Sequence, residues 1–151
     1  MRRNSRNRKM LTQFSVRVAS EWDIVNVRQL CRNFASEIGF SIIDQSRITT
    51  TVSELARNIY LYAKQGEIRM EALADVNKLG LKIVALDNGP GIADIKKAMQ
   101  DGFTTSGGLG AGLPGVKRLM DEFDIELPPG GGTKVVVVKW LFDTQNDKYA
   151  R

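Results

Sequence analysis

The chain has 151 residues, of which 42% are hydrophobic and 26% are charged, and this composition is typical of one soluble globular domain. Lys and Arg outnumber Asp and Glu by 22 to 17, but the excess lies in the first ten residues, so the rest of the chain gives no compositional reason to expect nucleic-acid binding. The absence of histidine excludes a Ser-His-Asp triad, a histidine-ligated metal and a phosphohistidine relay on this chain, and the single Cys31 excludes an intrachain disulfide.

The first ten residues are predicted to be a disordered basic tail, because they carry five basic residues and no acidic one. Two roles stay open for this tail: a dispensable extension, or a docking segment for an acidic partner or a membrane surface. No apolar run approaches the roughly 18 to 20 residues of a membrane span, and no targeting segment is found. We therefore expect a cytoplasmic protein with a single domain over residues 11–145 and a short C-terminal tail over 146–151.

The N-terminal half is predicted to form one strand and two helices. Phe14, Val16 and Val18 alternate with polar or small residues, as in a half-buried strand. Ser20 is a candidate N-cap for the first helix, and Gly39 is its C-terminal stop. The second helix is predicted to run from Ser41 to Gly66. Apolar residues recur at helical spacing along both helices: Val27, Leu30, Cys31, Phe34 and Ile38 in the first, and Ile48, Val52, Leu55, Ile59 and Ala63 in the second.

The C-terminal half is predicted to be richer in strands. In chain order we expect strands around 68–72 and 81–86 joined at 75–80, a short helix over 93–99, a glycine-rich loop over 102–115, a helix over 112–123, and strands over 124–127 and 133–142 separated by a turn at 128–132. This order predicts an α/β (α+β) two-layer sandwich, in which helices cover one face of a mixed, mostly antiparallel sheet.

A carboxylate and an amide lie four residues apart on the second helix. Glu54 and Asn58 therefore project from the same helix face. An Asn oxygen is a hard ligand suited to Mg²⁺, and a neighbouring Glu can orient or deprotonate a hydroxyl group. The alternative is an ordinary solvated Glu and Asn on an amphipathic helix.

A turn with the sequence Asp87-Asn88-Gly89-Pro90-Gly91-Ile92 follows a predicted buried strand. The Asp87 carboxylate can accept a hydrogen bond from an amino group such as adenine N6, and Gly89 and Gly91 let the backbone approach a flat ligand. The alternative is a plain β-turn with a turn-capping Asp.

A glycine-rich segment, residues 104–115, opens onto a helix. Gly110 and Gly112 let main-chain amides face a phosphate group, and a helix N-terminus adds partial positive charge. The spacing up to Gly115 matches a dinucleotide-binding fingerprint, but the preceding strand and the surrounding βαβ unit are missing. The Gly-Lys-Ser/Thr ending of a P-loop is missing too. The alternative is a flexible connector.

Together the three motifs resemble the N, G1 and G2 boxes of the GHKL (Bergerat) ATP-binding fold, over residues 14–142. Gly132-Thr133 resembles a further element of that fold, in which the Thr hydroxyl supports the adenine-binding Asp. Residues 53–62 and 108–123, and also 21–25, are similar to the RsbT and anti-sigma-factor kinase family, the small serine kinases of bacterial partner switching.

The resemblance implies an ATP- and Mg²⁺-dependent protein-serine/threonine kinase. It further implies phosphorylation of a STAS-domain antagonist or scaffold protein of the stressosome, and activation of a PP2C-type phosphatase by the released kinase. The alternative within the family is an anti-sigma-factor kinase that sequesters a sigma factor. No nucleic-acid or membrane partner is expected, and a homodimer is left open.

The resemblance also implies roles for single residues. Glu54 orients or deprotonates the substrate hydroxyl, Asn58 holds Mg²⁺, and Asp87 binds adenine. The other expected cofactor-binding residues are Gly89, Gly91, Ile92, Gly108, Leu109, Gly110, Ala111, Gly112, Leu113 and Thr133, with Gly115 at the end of the phosphate-binding segment. Lys117 and Arg118 are candidates for positive charge at the transferred phosphoryl group, and the alternative is that they are solvated bases.

Overall fold

Five strands and three helices form the part of the chain that the computed structural model describes, residues 8–90 and 112–141. In chain order the elements are β1 (Arg8–Val18), α1 (Glu21–Ile38), α2 (Ile42–Asn58), a π-helical turn (Ile59–Ala63), β2 (Gly66–Asp75), β3 (Lys78–Asp87), α3 (Gly112–Leu119), β4 (Glu122–Glu126) and β5 (Thr133–Leu141). Among these described elements, no helix is long and apolar enough to cross a membrane.

The strands form one sheet in the order β1-β2-β3-β5-β4. Every pairing between the described strands is antiparallel, whereas a mixed sheet was expected. Buried aliphatic side chains of α1 and α2 pack with alternate sheet residues in one core, which includes Val27, Val52, Ile68, Ile83 and Val137. Burying each such side chain contributes about 1.5–3 kcal/mol. The predicted two-layer α+β arrangement is confirmed.

The ends of the first two helices follow the predicted signals. The Asp23 N–H donates to Ser20 Oγ at 3.2 Å, and the Asp44 N–H donates to Ser41 Oγ at the same distance. Gly39 ends α1 in the left-handed conformation, with φ of 116°. Helix α2 ends at Asn58, however, and not near Gly66 as predicted, because the chain continues as a π-helical turn. Asn58 therefore lies at the end of a helix.

The first strand begins at Arg8, three residues before the domain was predicted to begin at residue 11. Arg8 lies in β1, its Nη2 atom is 2.7 Å from Glu122 Oε2, and its guanidinium group lies 5.3 Å from the centroid of the Trp140 ring. These contacts join residues more than 100 positions apart, so no local pattern could indicate them. The tail boundary predicted at residue 10 is therefore wrong, while residues 1–7 lie outside the described part.

The boundary between α3 and β4 also differs from the prediction. Helix α3 ends four residues before Phe123, and β4 begins where the helix was expected to continue. The cause is tertiary, since the Asp121 N–H donates to the Val138 carbonyl at 2.9 Å. In addition, Lys139 Nζ donates to the Leu119 carbonyl oxygen at 3.3 Å and so caps the helix end.

Candidate active site

Glu54 is a buried carboxylate on α2, with a relative exposure of 1%. Its Oε2 atom lies 3.3 Å from Arg57 Nη1, and this ion pair partly offsets the cost of removing the charge from water. Asn58, one helical turn later, is half-buried at the last position of α2. The burial of Glu54 excludes the reading of an ordinary solvated side chain, because Glu is rarely buried without a partner or a function.

Asp87 is the last residue of β3, and backbone groups hold its carboxylate. Its Oδ1 atom accepts a hydrogen bond from the Gly89 N–H at 2.9 Å. Partial burial raises the pKa of the Asp87 carboxyl above its ordinary value, while hydrogen bonds with the backbone of Gly89 and Thr133 act in the opposite direction. Thr133 is buried and is the sheet partner of Asp87. The Thr133 backbone thus supports the Asp87 carboxylate, and the role expected for the Thr133 hydroxyl stays a prediction.

Three segments approach one another closely around Asp87. A Cβ atom on Gly89 would lie 2.7 Å from Ala63 Cβ, in the π-helical turn that follows Asn58. Gly132 has a φ of 91°, its N–H donates to the Gly89 carbonyl at 3.0 Å, and a Cβ atom there would overlap the Asp87 carbonyl oxygen. Backbone packs on backbone at these positions, and this places the end of α2 beside the turn at residues 87–89.

Helix α3 contains the described part of the predicted glycine-rich loop. Residues 112–115 form its first turn and are buried, so the helix start predicted at residue 112 is confirmed and the overlapping loop prediction ends at residue 111. Leu113 is buried in the core. Lys117 and Arg118 are exposed in the last turn of α3, where positive charge interacts favourably with a helix C-terminus. Their role at the transferred phosphoryl group stays a prediction.

Residues 91–111 lie outside the described part of the chain. The predicted helix over 93–99 and most of the glycine-rich loop fall there. So do several of the expected cofactor-binding residues: Gly91, Ile92, Gly108, Leu109, Gly110 and Ala111. Their roles stay predictions.

A cleft of about 510 Å³ lies between α1 and α2, and Glu54 lines it. Its other lining residues are basic or polar: Arg28, Gln29, Arg32, Ser46, Thr49, Thr50, Ser53 and Arg57. The sequence interpretation missed this cleft. The spacing could have indicated it, because Arg28 and Arg32 are four residues apart and Arg57 follows Glu54 by three, and such spacings place side chains on one helix face.

The oxygen atoms of Asp87 and Asn58 fit an adenine nucleotide with Mg²⁺. A carboxylate has about four lone-pair positions, so its two backbone partners leave Asp87 able to accept from a ligand amino group. Mg²⁺ is usually held by one or two protein oxygens together with phosphate and water oxygens, and half-buried Asn58 carries an amide oxygen that would serve as one of them. The space that a Cβ atom would take at Gly89 and at Gly132 is filled by Ala63 and by the Asp87 backbone, and this packing fixes the turn that carries the Asp87 carboxylate.

A family model described as histidine kinase-, DNA gyrase B- and HSP90-like ATPase matches residues 43–143. The chain belongs to this family. It is 63% identical over 132 residues to the serine/threonine-protein kinase RsbT of Bacillus subtilis strain 168, covering 87% of this chain and 99% of that protein. It is 34% identical over 120 residues to an anti-sigma F factor of Thermoanaerobacter sp. strain X514, covering 76% of this chain and 82% of that protein.

A solved structure of related fold is that of the RsbU and RsbW domains of a Mycobacterium tuberculosis protein. The TM-score is 0.59 at 19% identity, and the match covers 85% of this chain and 32% of that chain, so this likeness concerns the fold alone. The identity with RsbT and the family match confirm the predicted family and the predicted enzyme class. This GHKL protein is a serine/threonine-protein kinase that uses ATP.

Proposed function

We propose that this kinase transfers the γ-phosphoryl group of Mg-ATP to a Ser or Thr of a STAS-domain protein in a partner-switching pathway, and that the released kinase activates a PP2C-type phosphatase. One observation carries the phosphotransfer part: buried Glu54 lies one helical turn before Asn58, and the end of that helix packs beside Asp87. The partner part rests on the resemblance of residues 53–62 and 108–123 to the partner-switching kinases.

The protein contributes mainly positioning and charge to this reaction. Glu54 orients the acceptor hydroxyl and receives its proton, and the pairing of its Oε2 atom with Arg57 fixes the carboxylate. Asn58 would hold Mg²⁺, and Asp87 would bind the adenine amino group. Bound Mg-ATP supplies the phosphoryl group and the metal's positive charge. Gly112 and Leu113 lie at the N-terminus of α3, where helix amides favour phosphate oxygens.

The full chain can be tested with radiolabelled ATP and a panel of purified STAS-domain proteins from Bacillus subtilis, the source of the 63% identical relative. We expect label on a Ser or Thr of at least one member, and loss of labelling when a chelator removes Mg²⁺. ATP binding without transfer to any member would contradict the proposal. For the phosphatase part, Glu54→Gln should lose phosphotransfer and still activate a PP2C-type phosphatase.

Sequestration of a sigma factor is the second candidate function, because the chain is 34% identical to an anti-sigma F factor. The 63% identity with RsbT favours the first candidate. Co-purification from the native host separates the two. Recovery of STAS-domain proteins supports the first function, and recovery of a sigma factor in their place overturns it.

A further inference from the structure

We propose that Lys139 is a positioning residue for the phosphate end of the nucleotide site, because its ammonium group holds α3 in place against α2. This inference rests on the proposed function, in which the N-terminus of α3 meets phosphate oxygens. It adds a residue that acts through the placement of a helix rather than by contact with the nucleotide.

The burial of a positive charge is the first argument. Within residues 8–90 and 112–141, Lys139 is the only basic residue that is buried. It follows Val137 by two residues on β5, and alternate residues of a strand share a face, so its side chain extends from the face of the sheet that the helices cover. An ammonium group there is costly unless partners replace the lost water, and an apolar residue would suit the core better. This exception indicates a role beyond core packing.

The contacts of Lys139 are the second argument, because they join three elements. Its Nζ atom donates to the Leu119 carbonyl, at the end of α3, at 3.3 Å. The same atom lies 3.5 Å from Asp121 Oδ1, just before β4, and 4.0 Å from Asp44 Oδ1 in the first turn of α2. Asp121 is itself fixed, since its Oδ2 atom accepts from the Trp140 N–H at 2.6 Å. One ammonium group thus joins the C-terminus of α3 to the N-terminus of α2.

The arrangement of the two helices is the third argument. Leu113 and Val116 of α3 pack in the same core as Val52 and Leu55 of α2. Helix α3 therefore runs from Lys139 along α2 toward the middle of that helix. It has eight residues, so at 1.5 Å per residue its two ends are only about 10 Å apart. A short helix moves as one rigid element, so a shift at its C-terminus displaces its N-terminus by a similar distance.

Loss of the ammonium group should therefore weaken phosphate binding and leave adenine binding unchanged. The adenine amino group is assigned to Asp87, which pairs with Thr133 in the sheet. Thr133 and Lys139 lie toward opposite ends of β5, roughly 20 Å apart along the strand. The phosphates are assigned to the N-terminus of α3, whose position depends on Lys139. A nucleotide and its nucleoside thus report on the two regions separately.

The test measures the affinity of the full chain for Mg-ATP and for adenosine in Lys139→Met and in the matched control Lys134→Met. Lys134 lies on the same strand but on the opposite face, and it pairs with Glu126 at 3.5 Å. We expect Lys139→Met to weaken Mg-ATP binding about fivefold or more and to change adenosine binding by less than about twofold. KM for ATP should rise in parallel, with KM for the protein substrate unchanged. The control should stay within about twofold of wild type for both ligands.

A second variant covers the case in which Lys139→Met fails to fold, because it leaves a carboxylate without its partner. Lys139→Met combined with Asp121→Asn removes both charges of the pair, and Asn keeps an oxygen that can accept from the Trp140 N–H. Urea unfolding gives the conditions under which each variant is folded, and the affinities are compared there. The double variant should show the same selective loss of Mg-ATP affinity.

Equal losses for Mg-ATP and adenosine would show that Lys139 only stabilises the fold and would overturn the inference. Normal Mg-ATP affinity in both variants would overturn it as well. Neither result concerns the transfer of phosphate to a STAS-domain protein. A wild-type kinase that binds Mg-ATP but labels no STAS protein contradicts the proposed function, while the comparison of the two ligands still decides the role of Lys139.

Discussion

The two ends of the functional face of α2 are built in different ways. At the carboxyl end, the π-helical turn, the turn at residues 87–89 and Gly132 pack backbone against backbone, with no room for a Cβ atom at Gly89. Toward the amino end, the cleft is formed by long or polar side chains of α1 and α2. Glu54 lies between the two regions and lines the cleft.

This difference predicts which region can vary in function. Close backbone packing tolerates few substitutions, so the carboxyl end suits a ligand that is the same for every member of an ATP-using family. The exposed cleft residues Arg28, Gln29 and Ser46 can be exchanged at little cost to the fold, because side chains near the surface contribute modestly to stability. The cleft lining is therefore the part of this face where substitution costs the fold least.

The largest expected effect follows substitution of Glu54, the residue between the two regions. Glu54→Gln keeps the shape and removes the proton acceptor, so phosphotransfer should fall by roughly 10²–10⁴-fold while ATP affinity is retained. Radiolabel transfer and equilibrium ATP binding measure the two quantities. Glu37→Gln, an exposed change on α1, is the control. Unchanged phosphotransfer in Glu54→Gln would show that Glu54 does not accept the proton in the reaction.

Loss of Asn58, the proposed Mg²⁺ ligand, should affect only the region at the carboxyl end of α2. In Asn58→Ala the Mg²⁺ concentration for half-maximal phosphotransfer should rise by at least the roughly 10–100-fold that follows loss of a supporting group around a metal. A Mg²⁺ titration at saturating STAS protein measures this change. The matched control is Asn26→Ala, an exposed Asn on α1. An unchanged Mg²⁺ requirement in Asn58→Ala would place the metal elsewhere.

Comparison with Gly130 separates two effects of an Ala substitution at Gly132: the loss of close packing and the strain of a positive φ. Gly130 and Gly132 both have positive φ, but a Cβ atom on Gly130 would meet nothing within 4 Å, whereas one on Gly132 would overlap the Asp87 carbonyl oxygen. Both Ala variants incur the roughly 1–2 kcal/mol of left-handed strain. Gly132→Ala should lose about 1–3 kcal/mol more of unfolding free energy, together with ATP affinity. Equal losses in urea unfolding would show that close packing at Gly132 does not matter.

The smallest expected effect is the pH dependence due to Asp87. Partial burial raises the pKa of the Asp87 carboxyl above its ordinary value of 3.8, so the folded state binds more protons than the unfolded state in the window just above that value. The stability of wild type relative to Asp87→Asn should therefore fall as pH rises through this window and then level off. Urea unfolding from pH 3.5 to 7 measures the difference, with exposed Asp124→Asn as a flat control. A difference that rises with pH would contradict the raised pKa.

Local signals predicted much of the fold and part of the site. Ser20, Gly39 and Ser41 act through hydrogen bonds and backbone angles within a few residues, so the helix ends they define could be read from the sequence. Asp87 and Gly89 form their hydrogen bond across two residues, and this turn was predicted as well. A short sequence pattern can predict these features because the interactions that stabilise them join residues that are close in the sequence.

The errors and omissions concern features that distant residues determine. Arg8 belongs to β1 and contacts Glu122 and Trp140, and α3 ends early because Lys139 caps Leu119. The cleft needed the packing of two helices before its arginines could be recognised as one lining. No pattern within one element could have predicted that the π-helical turn after Asn58 lies beside the turn at residues 87–89, because this depends on Gly89 packing against Ala63.

The central claim, that the nucleotide binds at the carboxyl end of α2 beside the turn at residues 87–89, can be tested most directly by NMR of the full ¹⁵N-labelled chain. Mg²⁺ and a non-hydrolysable ATP analogue are added, and amide shifts are followed at every assigned residue. We predict the largest changes at Asn58, at residues 87–89 and at Gly132 and Thr133, with small changes at Thr49 and Thr50 in the cleft. Largest changes in the cleft, with residues 87–89 unaffected, would contradict the claim.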